Sequence, residues 1–146
     1  MADSLGLEQR IVQARQAGEV RVGVKYEVVS SVEAAAGRFG LSASSGIYLE
    51  VSPERAKAVL RSLLAHDMAY GCELMPATMA DQLSAEFVDV FAGQAPVYFT
   101  NGTFGLPRDS SGVGPTWNPA TGATFDSGIL VIAQDRIGCA WFMDED

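Results

Sequence analysis

Three features of the chain predict an α+β fold. Two apolar runs, 128–134 and 137–143, are separated only by Asp135 and Arg136. A spacer that short fits an antiparallel hairpin and is far too short for a parallel crossover. Residues 20–29 alternate: Val20, Val22, Val24, Tyr26 and Val28 point one way, and Arg21, Gly23, Lys25 and Glu27 point the other. That is a half-buried strand of the kind antiparallel sheets tolerate. Ala56, Val59, Leu60, Leu63 and Leu64 recur at the spacing of a helix with one apolar stripe. The expected architecture is a single domain over residues 1–146. Its sheet has five to six strands, mostly antiparallel or mixed, with three to four helices and a C-terminal β-hairpin.

The elements follow in order. Residues 4–17 read as an amphipathic helix with Asp3 or Ser4 as cap, Leu7, Ile11, Val12 and Ala14 as its apolar side, and Gly18 as its stop. After the strand at 20–29, a short helix is expected over 31–38 and a flexible connector over 41–46. Ile47–Val51 reads as a second strand. Ser52-Pro53-Glu54 starts the next helix: Ser52 caps, Pro53 fits the first turn and Glu54 favours the dipole. Met68–Met75 is expected as a third strand. A helix over 78–92 follows, with Thr78 and Asp81 in a capping-box arrangement and Leu83, Phe87, Val90 and Phe91 buried. Pro96–Thr100 is a fourth strand.

Residues 101–126 hold five glycines and three prolines and carry neither helix nor strand periodicity. A loop of that length within one domain is usually functional or disordered. In the final hairpin, Ile129–Ala133 is apolar on both faces and belongs in the middle of a covered sheet, with Ile132 in the core. In its partner, Ile137, Cys139, Trp141 and Met143 share one face. Gly138, Ala140 and Phe142 share the other, where small residues allow close approach.

Charge is distributed unevenly along the chain. Residues 1–73 carry nine carboxylates and eight cations; residues 74–146 carry nine carboxylates and only Arg108 and Arg136. The net charge is −8. Such a chain repels phosphate backbones and attracts basic surfaces, so nucleic acid is excluded as a partner and a basic protein surface is expected. No apolar run approaches the ~20 residues of a membrane span, so no membrane partner is expected. The first residues lack the basic and apolar stretches of a signal peptide, and a cytoplasmic protein is the expectation. Asn101-Gly102-Thr103 matches a glycosylation acceptor but reads as a turn in that setting.

The candidate partner-binding residues are mostly acidic. Asp144, Glu145 and Asp146 close the chain directly after the apolar Trp141-Phe142-Met143. They either engage a partner's Lys and Arg or form a solvated tail. On the second alternative and the first alike, replacing all three with amides should leave stability unchanged. Trp117, in the long loop, is either a partner anchor or a staple folded onto the core. Asp109 and Asp126 belong to the same loop. Glu86 and Asp89 lie on an outer helix face that is either an acidic docking surface or ordinary solvated helix.

Chemistry beyond binding has little support. No motif places a nucleophile beside the lone His66, which sits near a helix C-terminus where capping or exposure is expected. Cys72 and Cys139 form no metal pattern and are expected as buried thiols. No glycine run has a phosphate-loop form. No metal or cofactor is therefore expected. The leading expectation is a small binding module that inhibits a basic partner, in concrete form a bacterial immunity-type protein masking a toxin nuclease. The alternatives are a small-molecule or peptide binder using the 101–126 loop, and a carboxylate-dependent enzyme of unfamiliar type.

Overall fold

The C-terminal hairpin forms the middle of the sheet, and every other strand is placed by it. The computed structural model describes residues 4–105 and 114–145. In chain order the elements are α1 (Ser4–Ala14), β1 (Glu19–Lys25), α2 (Val32–Arg38), β2 (Leu49–Val51), α3 (Pro53–Ala65), α4 (Ala77–Asp89), β3 (Val97–Thr100), β4 (Phe125–Ile132) and β5 (Ile137–Asp144). The five strands form one antiparallel sheet in the order β1-β5-β4-β3-β2. The α+β class, the four helices and the terminal hairpin agree with the sequence pattern.

The two faces of β5 go to two separate cores. Ile137, Cys139, Trp141 and Met143 pack under α2 with Val32, Ala35 and Ala36. Ala140 and Phe142 pack under α1, α3 and α4 with Ile11, Leu60, Leu64 and Phe87. Gly138 has a packing reason to be glycine, because a Cβ there would collide with the Phe91 ring. Gly128 has another, since a Cβ would strike the backbone of Ala140 across the hairpin. β5 is buried along its whole length, and a two-sided apolar run is what such a position demands.

Several boundaries differ from the sequence reading, each for a physical reason. α1 ends at Ala14, and Arg15, whose N–H still donates to the Ile11 carbonyl, sends its side chain into the interior, where it is 1% exposed. Gly18 then turns the chain with φ +56. β1 stops at Lys25 because its partner begins at Ile137, directly opposite. Tyr26 and Val28, beyond that point, are exposed. The 68–75 segment is not a strand. Asp67 accepts hydrogen bonds from the Tyr70 and Cys72 N–H groups, at 2.9 and 2.6 Å, and Gly71 takes φ +70. These bonds hold a tight turn joined only by an isolated bridge between His66 and Glu73. The edge slot beside β3 belongs to β2 instead. α4 starts one residue early, at Ala77, with Pro76 as its N-cap and no side-chain cap, so the Thr78–Asp81 capping box does not form. Ser52 and Ser31 do cap α3 and α2, each accepting at 3.1 Å.

Cys72 lies in the turn and is exposed, contrary to the expectation of a buried thiol, whereas Cys139 is buried. Burial pushes the Cys139 thiol pKa well above its ordinary value. Ile132 is only partly buried, while Leu130 and Val131 are fully enclosed. The large truncation cost therefore belongs to Leu130.

Leu130→Ala should lower unfolding free energy by about 2–5 kcal/mol, the usual range for a buried aliphatic truncation, measured by urea titration. A loss under about 1 kcal/mol would show that β4 is not in the core. In thiol titration of the native protein, one equivalent should react quickly and the second only in denaturant. Two fast equivalents would contradict the burial of Cys139.

Candidate functional site

The apolar stripe of α1 runs Leu7, Ile11 and then, four residues on, Arg15. A cation in a core position needs a full set of acceptors, and Arg15 has one. Its Nη1 and Nη2 donate to Asp144 Oδ1 and Oδ2 at 2.9 and 2.8 Å, as a bidentate pair. Nε donates to the Leu63 carbonyl at 2.6 Å, and Nη1 also donates to the Ala17 carbonyl at 3.0 Å. The guanidinium lies 4.7 Å from the Phe142 ring centroid. Asp144 additionally accepts from the Met68 N–H at 2.8 Å. Burial alone would raise the Asp144 pKa. The Arg15 hydrogen bonds, the Met68 N–H and the Arg15 charge together outweigh it, and the carboxyl lies below its ordinary range.

A second buried carboxylate, Asp126, organises the return of the long loop. Oδ1 accepts from Trp141 Nε1 at 3.1 Å, from the Ala120 N–H at 3.0 Å and from Asn101 Nδ2 at 3.2 Å. Oδ2 accepts from the Thr121 N–H and hydroxyl at 3.3 and 3.2 Å. Asn101 Nδ2 also donates to the Asn118 carbonyl, and Asn101 Oδ1 accepts from Ser127 Oγ at 2.7 Å. All these donors are neutral. No buried side-chain nitrogen or oxygen among the described residues lacks a partner.

The expected partner-binding residues thus fall into different settings. Asp144 and Asp126 are interior and engaged, 3% and 0% exposed, so neither is available to a partner surface. Their assignment to a binding face is corrected: each anchors the fold. Trp117 is half-buried and stacks between Phe104 and Phe125 at ring-centroid distances of 5.3 and 5.4 Å. It also bridges Gly102, where a Cβ would collide with the Thr116 carbonyl. This is the stapling role, which folds 101–105 against 114–118 as a ribbon. Glu86 pairs with Arg10 through two bonds of 2.8 and 2.7 Å. Asp89 is exposed. Glu145 is exposed, and its carboxylate accepts from the Thr124 N–H and hydroxyl at 2.8 and 2.7 Å. Asp109 and Asp146 lie outside the described residues. His66 caps the end of α3 through its own N–H and is exposed, as expected.

Glu145 lies on a surface cleft of about 550 Å³ between the ends of β1 and β5 and the 121–123 segment. Glu19 and Arg21 of β1 and Thr121 also line it. Arg21 Nη2 donates to Glu19 at 2.7 Å, and Nη1 donates to the Phe39 carbonyl at 3.1 Å. No group of three or more His, Cys, Asp or Glu with metal-binding geometry occurs among the described residues.

Folding also redistributes the charge asymmetry of the sequence. Asp81 of α4 faces Lys57 and Arg61 of α3 at 3.9 and 3.4 Å, and Glu86 faces Arg10 of α1. Cations from the first half thus lie against acids from the second. The residue that sequence reasoning missed is Arg15. Its signal was available, as a cation in register with Leu7 and Ile11. Asn101 reads from the sequence as a turn residue within a glycosylation-acceptor pattern, and nothing there signals its buried role.

The fold and these two polar centres define a three-layer α+β domain with an antiparallel five-stranded sheet. No protein-family model, curated protein or solved structure matches the chain. No helix among the described residues is long and apolar enough to cross a membrane.

Asp144→Asn should cost about 3–5 kcal/mol, since it strands a buried guanidinium, while Glu145→Gln should stay within about 0.5 kcal/mol. This reverses the expectation that the acidic end can be neutralised without loss. Because the Asp144 pKa is depressed in the folded state, its contribution is complete above the unfolded carboxyl value near 4. It is lost as pH falls through the folded value. Urea midpoints from pH 7 to pH 2 should show wild type losing stability below about pH 4 more steeply than Asp144→Asn. Parallel curves would contradict the assignment.

Proposed function

We propose that this chain is an acidic binding module that engages and masks a basic protein, in the manner of an immunity-type inhibitor of a cationic toxin such as a nuclease. It acts in the cytoplasm. One observation carries the reading: the surface keeps its negative excess after the interior is accounted for. The described residues hold 15 carboxylates and nine cations. Setting aside the buried Asp126, Asp144 and Arg15 leaves 13 carboxylates against eight cations. Exposed ion pairs such as Glu86–Arg10 cancel locally, and the remainder faces solvent. Such a field speeds encounter with a basic partner more than it adds affinity.

Of the carboxylates that the sequence places at strand ends or in loops, Glu50, Asp109, Asp126 and Asp144, two are engaged inside the fold. Asp126 and Asp144 are saturated with hydrogen bonds inside the fold. A general base needs a free lone pair within reach of a substrate proton, so this arrangement favours binding over catalysis.

The test begins with recovery of the partner from the native host, followed by association kinetics with the purified pair. The on-rate should fall about ten-fold or more between 50 and 500 mM salt, as screening shortens the range of the field. A salt-independent on-rate, or a partner with an acidic surface, would overturn the reading.

A further inference from the structure

β1 is an edge of the sheet, paired only on its β5 side. The Val24 N–H donates to Glu8 Oε1 at 3.2 Å, so it points away from β5. Backbone groups of an antiparallel strand alternate between its two sides. Val20, Val22 and Val24 therefore turn their N–H and C=O groups outward, while Glu19, Arg21, Gly23 and Lys25 bond to β5. No described residue occupies the outward groups of Val20 and Val22, and Glu8 holds only the N–H of Val24. This open edge is seven residues long, whereas β2, the opposite edge, has three. Proteins commonly keep exposed edges short or covered.

α1 runs back along the same edge. Glu8 meets Val24 at one end, and at the other Arg15 reaches Asp144, the residue after the partner of Glu19. A helical turn advances about 5.4 Å and two strand residues about 6.6 Å. Val12, one turn after Glu8, thus stands level with Val22, and it is 47% exposed.

The side chains of β1 are self-complementary in one register. Across a new antiparallel ladder, residues with outward groups must face one another. With Val22 opposite the Val22 of a second copy, Val20 faces Val24, Glu19 faces Lys25, and Arg21 faces Gly23, where no side chain obstructs it. A slide of two residues one way sets Arg21 against Arg21, and the other way sets it against Lys25. Like charges directly opposite are unfavourable, so both neighbouring registers are disfavoured. Glu19 and Lys25 are exposed. Within its own chain Glu19 accepts from Arg21 at 2.7 Å, and Lys25 lies 5.7 Å from the Phe39 ring centroid.

We infer that β1 is the contact surface for a second copy of this chain. Two β1 strands pair antiparallel about Val22 and join two sheets into one, with a two-fold axis between them. Val12 adds apolar surface beside that axis. The backbone bonds and the valine ladder hold the contact, Glu8 gives up the Val24 N–H to the second copy's Val20 carbonyl, and the charged pairs select the register. Neither the pairing nor its test depends on the basic partner.

The full chain is tested by sedimentation equilibrium from about 5 µM to 1 mM, at about 150 mM salt so that the repulsion between two acidic copies is screened. The mass should climb from the 15.5 kDa of one chain towards twice that value. Lys25→Glu and Glu19→Lys, each alone, should weaken the dimer about ten-fold or more, because two pairs are reversed at once. An equimolar mixture of these two variants should restore it, since each then meets the opposite charge. Val22→Pro removes an outward donor and no bond to β5, the position where an edge strand accepts proline, and should abolish the dimer. A single-chain mass at every concentration would overturn the inference. So would a dimer that neither charge variant weakens, or a mixture that fails to recover it, since the second copy would then meet another surface.

Discussion

Arg15 and Asp144 meet in the interior, and that contact ties together four parts of the chain. Arg15 follows α1, Asp144 ends β5, Leu63 belongs to α3 and Met68 starts the turn after it. Gly18 is bound to the same arrangement, because a Cβ there would overlap the Met143 carbonyl and the Asp144 carboxylate. Burying two charges is costly, and a buried ion pair contributes little net stability over an apolar pair of similar size. What it imposes is registry. A placement of α1 that kept Arg15 buried but away from Asp144 would leave the guanidinium desolvated without its charged acceptor.

The Asp126 centre does on one side of the sheet what Arg15 does on the other. One carboxylate gathers donors from Asn101, Ala120, Thr121 and Trp141, and so closes the long excursion between β3 and β4. Its charge meets only neutral donors. The protein thus keeps two acids inside for shape and still presents an acidic exterior. Asp89 and Glu145 are among the acids left exposed. An acidic stretch in a sequence is consequently not a patch on a surface. Pairs such as Asp81 with Arg61 and Glu86 with Arg10 join the acidic half of the chain to the balanced half.

Much of the fold was legible because it depends on periodicity. The two-residue separation of the last runs dictated the hairpin, and the alternation in 137–143 sorted its faces correctly between the two cores. The Ser52-Pro53 start of α3 is local chemistry and reads directly. Where local signals competed with tertiary ones, the reading failed. Apolar residues at 68–75 suggested a strand, but the Asp67 side chain supplies the bonds of a turn and β2 holds the sheet edge. The site was less legible than the fold. Acids look alike in a sequence whether exposed or buried, and Asp144 could be recognised as interior only by asking what Arg15, on the Leu7–Ile11 stripe, would pair with.

The central claim is that Arg15 and Asp144 act as one unit, and a double-mutant cycle tests it most directly. Unfolding free energies would be measured in urea for wild type, Arg15→Met, Asp144→Leu and the double variant. The account predicts that each single change is costly and that the double variant recovers much of the loss. The expected coupling energy is about 2–3 kcal/mol, because removing both charges leaves none stranded. Additive losses, with a coupling below about 0.5 kcal/mol, would contradict it and return Asp144 to the surface.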